Sequence, residues 1–258
     1  MGRNKRIALA VLAAATALAV VTVGPAQAVR VVAGNLVLNF GGGFAPKKLP
    51  RTHDAPIKFW GWGSIATADG SQPPALKRLI IEYDKHGHVE TRGLPRCTVR
   101  KLENTIVRQA RRRCPGAIVG AGLGKATVKF PDQARIPISS PITIFNGPRI
   151  KRQPSVIAHA YTTVPAPTTF VVPIRIQRIR KGRYGYRVDA KIPAIAGGYG
   201  SPTFGRIKIG RTWNFRGRKL SYVNARCVGG RLQARGQALF RDGTSLRGSI
   251  FRPCQVRR

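Results

Sequence analysis

Glu82 and Asp84 are the chief pair of neighbouring carboxylates in a chain that holds only 9 acidic residues. Glycoside hydrolysis needs two acids at a defined separation, so these two are the first candidates for chemistry. His159 and Tyr161 share one face of a strand-like stretch. They could move protons in a lyase acting on acidic polysaccharide, with Arg and Lys neutralising the sugar carboxylate. Ser245 lies in Gly243-Thr244-Ser245-Leu246-Arg247-Gly248, which is not the G-x-S-x-G spacing of a nucleophile elbow. Trp60 and Trp62 project to one strand face, as a stacking platform for sugar rings would, and core packing explains the same spacing. His86 and His88 also share a face, as two metal ligands would, but they flank a turn with only Glu82, Asp84 or Glu90 nearby.

Two glycine-rich stretches could hold an anion on backbone N–H groups. Gly120-Ala121-Gly122-Leu123-Gly124 lacks the G-x-G-x-x-G spacing, and strand-like Ala126-Thr127-Val128-Lys129-Phe130 follows where a nucleotide loop needs a helix. A bulge or close backbone packing accounts for its glycines. Ala196-Gly197-Gly198-Tyr199-Gly200-Ser201 reads more simply as a loop between strands. No catalytic residue, cofactor or metal is assigned from these residues, and an enzyme is not the favoured reading.

Charge points elsewhere. The chain carries 46 Lys and Arg, for a net charge of +37. Self-repulsion on that scale opposes compactness and favours polyanionic partners, with an attraction that salt screens over about 8 Å. Arg175, Arg187, Lys191, Arg206, Lys208 and Arg235 alternate with apolar residues and form the candidate polyanion-binding set. The expected function is non-enzymatic binding of an anionic envelope or extracellular polymer. The alternatives are an enzyme acting on acidic polysaccharide, as lyase or glycosidase, and nonspecific nucleic-acid binding, which the charge permits although no reading module is recognisable.

The address supports an extracytoplasmic partner. MGRNKR supplies a cationic start, Ile7 to Val23 is a run without charge, and Gly24-Pro25-Ala26-Gln27-Ala28 ends in an A-x-A pattern. Together they read as a signal peptide over residues 1–28, cleaved after Ala28, with retention as an anchor as the alternative. Lys and Arg interrupt every later apolar run, so no integral membrane span is expected beyond it. The leader takes with it only Arg3, Lys5 and Arg6, so the remainder keeps 43 of the 46 basic residues and all 9 acidic ones.

Those side chains need a frame, and the pattern that supplies it is β. About a dozen short alternating stretches, separated by Gly, Pro and Asp-Gly, argue an all-β fold, specifically a β-sandwich of jelly-roll or immunoglobulin-like type. Residues 29–258 are expected to form one such domain, the alternative being two β subdomains meeting near 147–154. Tyr184, Tyr186, Val188, Ala190 and Ile192 share one parity against Arg187, Asp189 and Lys191. Ile207, Ile209, Trp213 and Phe215 separate in the same way from Arg206 and Lys208, within a stretch predicted as one strand over 203–215. At Arg241-Asp242-Gly243 a three-residue loop with a left-handed Gly243 pairs Ala238 with Leu246 and Ala234 with Ile250, whereas a two-residue turn puts Leu246 on the polar face.

Cys97, Cys114, Cys227 and Cys254 form an even set in an exported chain and allow three pairings. Proximity favours Cys97 with Cys114 and Cys227 with Cys254. Val99, Leu102, Ile106 and Ala110 carry helical spacing between the first two. A straight helix over 98–113 would part those cysteines by more than roughly 20 Å, against a limit of about 7 Å for a disulfide. The insertion must therefore bend, and Asn104-Thr105 is placed to end one short helix and cap the next.

The segments GLPRC (93–97), RRRCPGAIVGAG (111–122), AYTTVPAPTTFVVPI (160–174), KIPAIAGGYGS (191–201) and DGTSLRGSIFRPC (242–254) resemble a group of exported, disulfide-containing proteins of high-GC Gram-positive bacteria. The resemblance implies export, paired cysteines and a β-rich fold, and it transfers no catalytic residue.

Overall fold

The alternating stretches become strands, and several expected as single strands are divided by turns. The computed structural model describes residues 28–257, so the expected leader lies outside the described residues except for Ala28. The chain opens with β1 (Val29–Ala33), β2 (Leu36–Ala45), β3 (Lys48–Leu49), β4 (Ala55–Pro56), β5 (Lys58–Thr67), β6 (Leu76–Asp84) and β7 (Gly87–Val89). Helices α1 (Val99–Leu102) and α2 (Val107–Arg113) follow, then β8 (Ile118–Val128) and β9 (Ile136–Asn146). The second half runs through β10 (Ser155–Thr162), β11 (Thr168–Lys181), β12 (Tyr184–Lys191), β13 (Gly200–Ile209), β14 (Thr212–Phe215), β15 (Arg218–Ser221) and β16 (Val223–Ala225). It ends with β17 (Arg231–Phe240), β18 (Ser245–Pro253) and β19 (Gln255–Val256).

Twelve of these strands form one sheet in the order β1-β2-β5-β13-β8-β9-β10-β11-β12-β6-β17-β18. All its neighbours are antiparallel, and the chain before 147 and after 154 interleaves through the β5–β13 and β12–β6 pairs. Ladder pairing ends at β1 and β18, yet these edges meet. A Cβ on Gly248 of β18 would stand 2.6 Å from the Phe40 ring and 3.0 Å from Val31. The buried Arg252 closes the same seam, its guanidinium donating to the carbonyls of Gly42 and Phe251. The expected all-β, sandwich-like architecture is thus present as a near-barrel, its two layers being opposite walls of one sheet.

Register assigns the faces. On one wall Ile144, Val156, Ile176 and Tyr186 pack with Ile142, Ala158, Ile174 and Val188 as one inward cluster, plugged by Leu94, Tyr222 and Trp213. On the other, Leu36, Ala238, Phe240 and Leu246 meet Val31, Leu38, Ile65 and Leu79 across the seam. The apolar side faces in and the charged side out, the reverse of a lipid-embedded barrel. Among the described residues, no helix is long and apolar enough to cross a membrane.

Curling requires neighbouring backbones to come close, and the glycines of β2 and β8 permit it. A Cβ on Gly42 would stand 2.6 Å from the Trp60 carbonyl oxygen and one on Gly120 2.5 Å from that of Lys208, while one on Gly122 would collide with that of Arg206. The 120–124 stretch is therefore strand backbone in close approach.

Cys97–Cys114 and Cys227–Cys254 are the disulfides, with Cα separations of 5.7 and 5.9 Å. The helical insertion bends as the first bridge requires, with Asn104 left-handed at φ 51°. Thr105, expected as a cap, is not one. Its hydroxyl donates to the Leu102 carbonyl and lies 3.0 Å from His159 Nε2, while Ile106 takes the N-cap and its N–H donates to Gln109 Oε1. The strand predicted over 203–215 breaks after Ile209 because Gly210 packs on Lys58 and Arg211 reaches the carbonyls of Pro115 and Ile118, turning the chain. The loop at Gly243 has the bulged form, pairing Ala238 with Leu246 and Ala234 with Ile250.

Replacing Gly122 by alanine places a methyl group against a carbonyl fixed by ladders on both sides. Stability should drop by about 1–3 kcal/mol, read as a lower urea midpoint, whereas Gly205→Ala, with open space above it, should change the midpoint by less than half as much.

Candidate functional site

The outer face of β5, β13 and β8 brings aromatic and basic side chains together. Antiparallel pairing sets Trp62 opposite Arg206, Trp60 opposite Lys208 and Ser64 opposite Phe204. On the far side of β13, Leu123 and Ala121 face Arg206 and Lys208, and Lys125 faces Phe204. Both indoles lean away from β13 onto β2. A Cβ at Gly43 would stand 2.7 Å from the Trp60 ring and one at Gly41 2.8 Å from Trp62 Nε1, so side chains at those glycines would evict the rings. Trp60 is left 38% exposed. Arg206 and Lys208 are exposed beside the rings, and Lys125 Nζ lies 6.0 Å from the Phe204 ring centroid.

No acid faces this surface from the sheet. Within the twelve strands the only acidic residues are Glu82 and Asp84 on β6 and Asp189 on β12. These strands adjoin each other and lie five strand spacings from β13 at their nearer member, about 24 Å along the sheet at about 4.8 Å each.

The other four candidate cations belong to that distant wall. Arg187 Nε donates to Glu82 Oε1 at 2.9 Å, and Arg235 bonds Glu82 Oε2 while stacking 4.4 Å from the Tyr184 ring centroid. Arg175 donates to Gln177 Oε1 at 3.1 Å and is the cross-strand partner of Asp189. Lys191 sits opposite Arg78, whose guanidinium grips Asp189. The six predicted residues thus divide: Arg206 and Lys208 are joined by Trp60 and Trp62, and the remainder are spread over an ion-paired ladder.

Glu82 anchors that ladder. Burial opposes its ionisation, but hydrogen bonds and charge from Arg187 and Arg235 outweigh this and hold its carboxyl below the ordinary range. Arg78 likewise holds Asp189 low by its hydrogen bonds and charge. Both acids are committed to guanidinium partners.

Of the remaining candidates, His159 is wholly buried under the helical insertion, and desolvation lowers its pKa. Tyr161, on β10 with His159, donates its backbone N–H to Ser140 Oγ of β9 at 3.1 Å. The His86 ring places Nδ1 2.8 Å from Asp84 Oδ1, whereas His88 Nδ1 lies 3.4 Å from the Tyr186 hydroxyl, so the two rings serve different partners. Among the described residues no group of three His, Cys, Asp or Glu is placed to hold a metal ion. Ser245 Oγ accepts from Gln237 Nε2 at the exposed hairpin end.

Sequence reasoning placed Trp60 with Trp62 and Arg206 with Lys208, but not the two pairs side by side, and it missed Lys125 and Phe204. Their shared strand parity was a usable signal; the partner strand was not.

A carboxylate held low in the folded state stabilises the protein above its unfolded pKa, about 4.3 for Glu, and that stability is lost as pH falls through the folded value. Unfolding free energy should therefore decline in acid, and Glu82→Gln should flatten the decline. The substitution should also cost about 1–3 kcal/mol at neutral pH by removing the charged acceptor of two half-exposed arginines, as measured by denaturant titration at several pH values.

No protein-family model matches this chain, and no curated protein matches it either.

Proposed function

We propose that this chain is an exported, non-enzymatic binding protein for anionic envelope or extracellular polymer, engaged through the outer face of β5, β13 and β8. The observation that carries the reading is the juxtaposition of Trp60 and Trp62 with Arg206 and Lys208 on a wall without acids. Indole faces stack on sugar rings, and the neighbouring cations neutralise the negative groups that such polymers carry. An open strand face suits an extended chain better than a small molecule. The apolar run and A-x-A pattern over residues 1–28 support export, where teichoic-type polymers and acidic polysaccharides are met.

The state of the acids supports binding over catalysis. Glu82 is tied to two arginines, and His159 is sealed beneath the helical insertion, which leaves neither free to move a proton on a bound sugar.

Binding of purified protein to a teichoic-type polymer should weaken steeply as salt rises, and equal affinity at low and high salt would remove the reading. Arg206→Gln with Lys208→Gln should reduce the slope of log K against log salt by about two. Trp60→Ala with Trp62→Ala should weaken binding by about tenfold or more with the slope unchanged. Duplex DNA, added as competitor, should displace the polymer only poorly, because paired bases offer the indoles no free face.

A further inference from the structure

The strongest unassigned feature lies at the end of the sheet where β13 gives way to the β14–β15 hairpin. Residues 91–96, Arg149 and the hairpin tip line an open cleft of about 620 Å³, and Arg92, Arg96, Arg149 and Arg216 all stand on its walls with Phe215. We propose that this cleft is a site for a tetrahedral oxyanion, a phosphate or sulfate group carried on a larger ligand.

The four arginines come from three separate segments, so local sequence clustering does not explain their meeting. No acid lines the cleft. Arg92 is partnered by Glu90, at 2.7 Å, and among the described residues no ion pair engages Arg96, Arg149 or Arg216. Four cationic residues around one cleft, with one carboxylate nearby, give it a positive potential that favours a ligand of more than one negative charge. A single carboxylate is saturated by one guanidinium fork, whereas a tetrahedral dianion presents enough oxygens for several.

The backbone carrying these side chains is held in place before any ligand arrives. Trp213 Nε1 donates to the Arg92 carbonyl at 2.9 Å, and Asn146 Nδ2 donates to that of Pro95 at 2.9 Å. The Cys97 N–H donates to the Asn146 carbonyl, and the disulfide to Cys114 anchors the segment end. Gly93 has φ 69°, and the Phe215 ring fills the space that a side chain there would need. Arg216 and Gly217, at φ 51° and 71°, form the left-handed two-residue turn of a tight hairpin. That turn holds the Arg216 guanidinium 5.3 Å from the Phe215 ring centroid. The site goes beyond the polymer-binding reading and does not require it, since no residue of the aromatic face lines it.

Calorimetric titration of the purified, disulfide-bonded protein with inorganic tripolyphosphate tests the assignment, with inorganic phosphate, sulfate and citrate as competitors. Binding at a single site is expected. The triple variant Arg96→Gln, Arg149→Gln, Arg216→Gln should lose affinity by roughly tenfold per arginine. The pair Arg206→Gln, Lys208→Gln should leave tripolyphosphate affinity within about twofold, and all these exposed replacements should retain the parent Tm. Competition by phosphate or by sulfate supports the site and identifies the group. Stronger competition by citrate, an equal loss in both variant sets, or a stoichiometry well above one overturns it. A failed polymer titration with tripolyphosphate binding intact would remove the polymer reading alone.

Discussion

Phe40 and Val31 press on Gly248 where the two ends of the sheet meet, and everything else about the molecule depends on that contact. A twelve-stranded sheet with one apolar face must cover that face or aggregate through it. Among the described residues no second large sheet or layer of helices covers it: the sheet bends until its own walls meet, with a strand-and-loop plug at one end. Backbone ladder bonds do not close the seam, so side chains must. Gly248 admits the Phe40 ring, and Arg252 supplies N–H donors to the Gly42 carbonyl that no strand satisfies. Burial pushes the Arg252 guanidinium below its usual pKa, and the nearby Lys47 is lowered first by burial and then by the Arg252 charge. The Cys227–Cys254 bridge ties the chain just before β17 to the end of β18, where β19 crosses to pair with β3. Covalent and ladder restraint thus fall beside the stretch where pairing stops.

Closure of this kind also governs the charge. Once the apolar face is inside, the basic residues of the strands project from a convex surface, where side chains diverge and their heads stand farther apart than their Cα atoms. That geometry eases the self-repulsion of a chain with 46 basic residues. The few acids are not scattered to offset it evenly. Glu82 and Asp189, on adjacent strands, draw in Arg187, Arg235 and Arg78, which leaves the opposite wall with cations and no counter-charge. An uneven balance of this sort is what the proposed binding face rests on.

Local rules made much of the fold legible. The register at Gly243 could be read because the wrong loop would have turned Leu246 to solvent, and the bend in the helical insertion because a straight helix cannot bring Cys97 to within bonding distance of Cys114. Where alternation ran on through a turn, reading failed: Gly210-Arg211 divides β13 from β14 inside the stretch predicted as one strand over 203–215. The candidate site was half legible. Alternation shows that Arg206 and Lys208 share a face, as do Trp60 and Trp62, but the pairing of β5 with β13 joins residues more than a hundred apart through backbone bonds that any residue can make.

The same limit explains why the arginine cleft escaped notice in the sequence. Arg92 and Arg96 stand near each other, but Arg149 sits in a Pro-rich connector and Arg216 in a two-residue turn, neither of which has a periodicity to read. What unites them is a buried amide. Asn146, at the end of β9, bonds the backbone of the 94–97 segment from below, and three residues further on the chain presents Arg149. The side chain that positions the loop therefore also fixes the start of the segment carrying another of its arginines, so the cleft is set by the sheet and not by the flexibility of its loops.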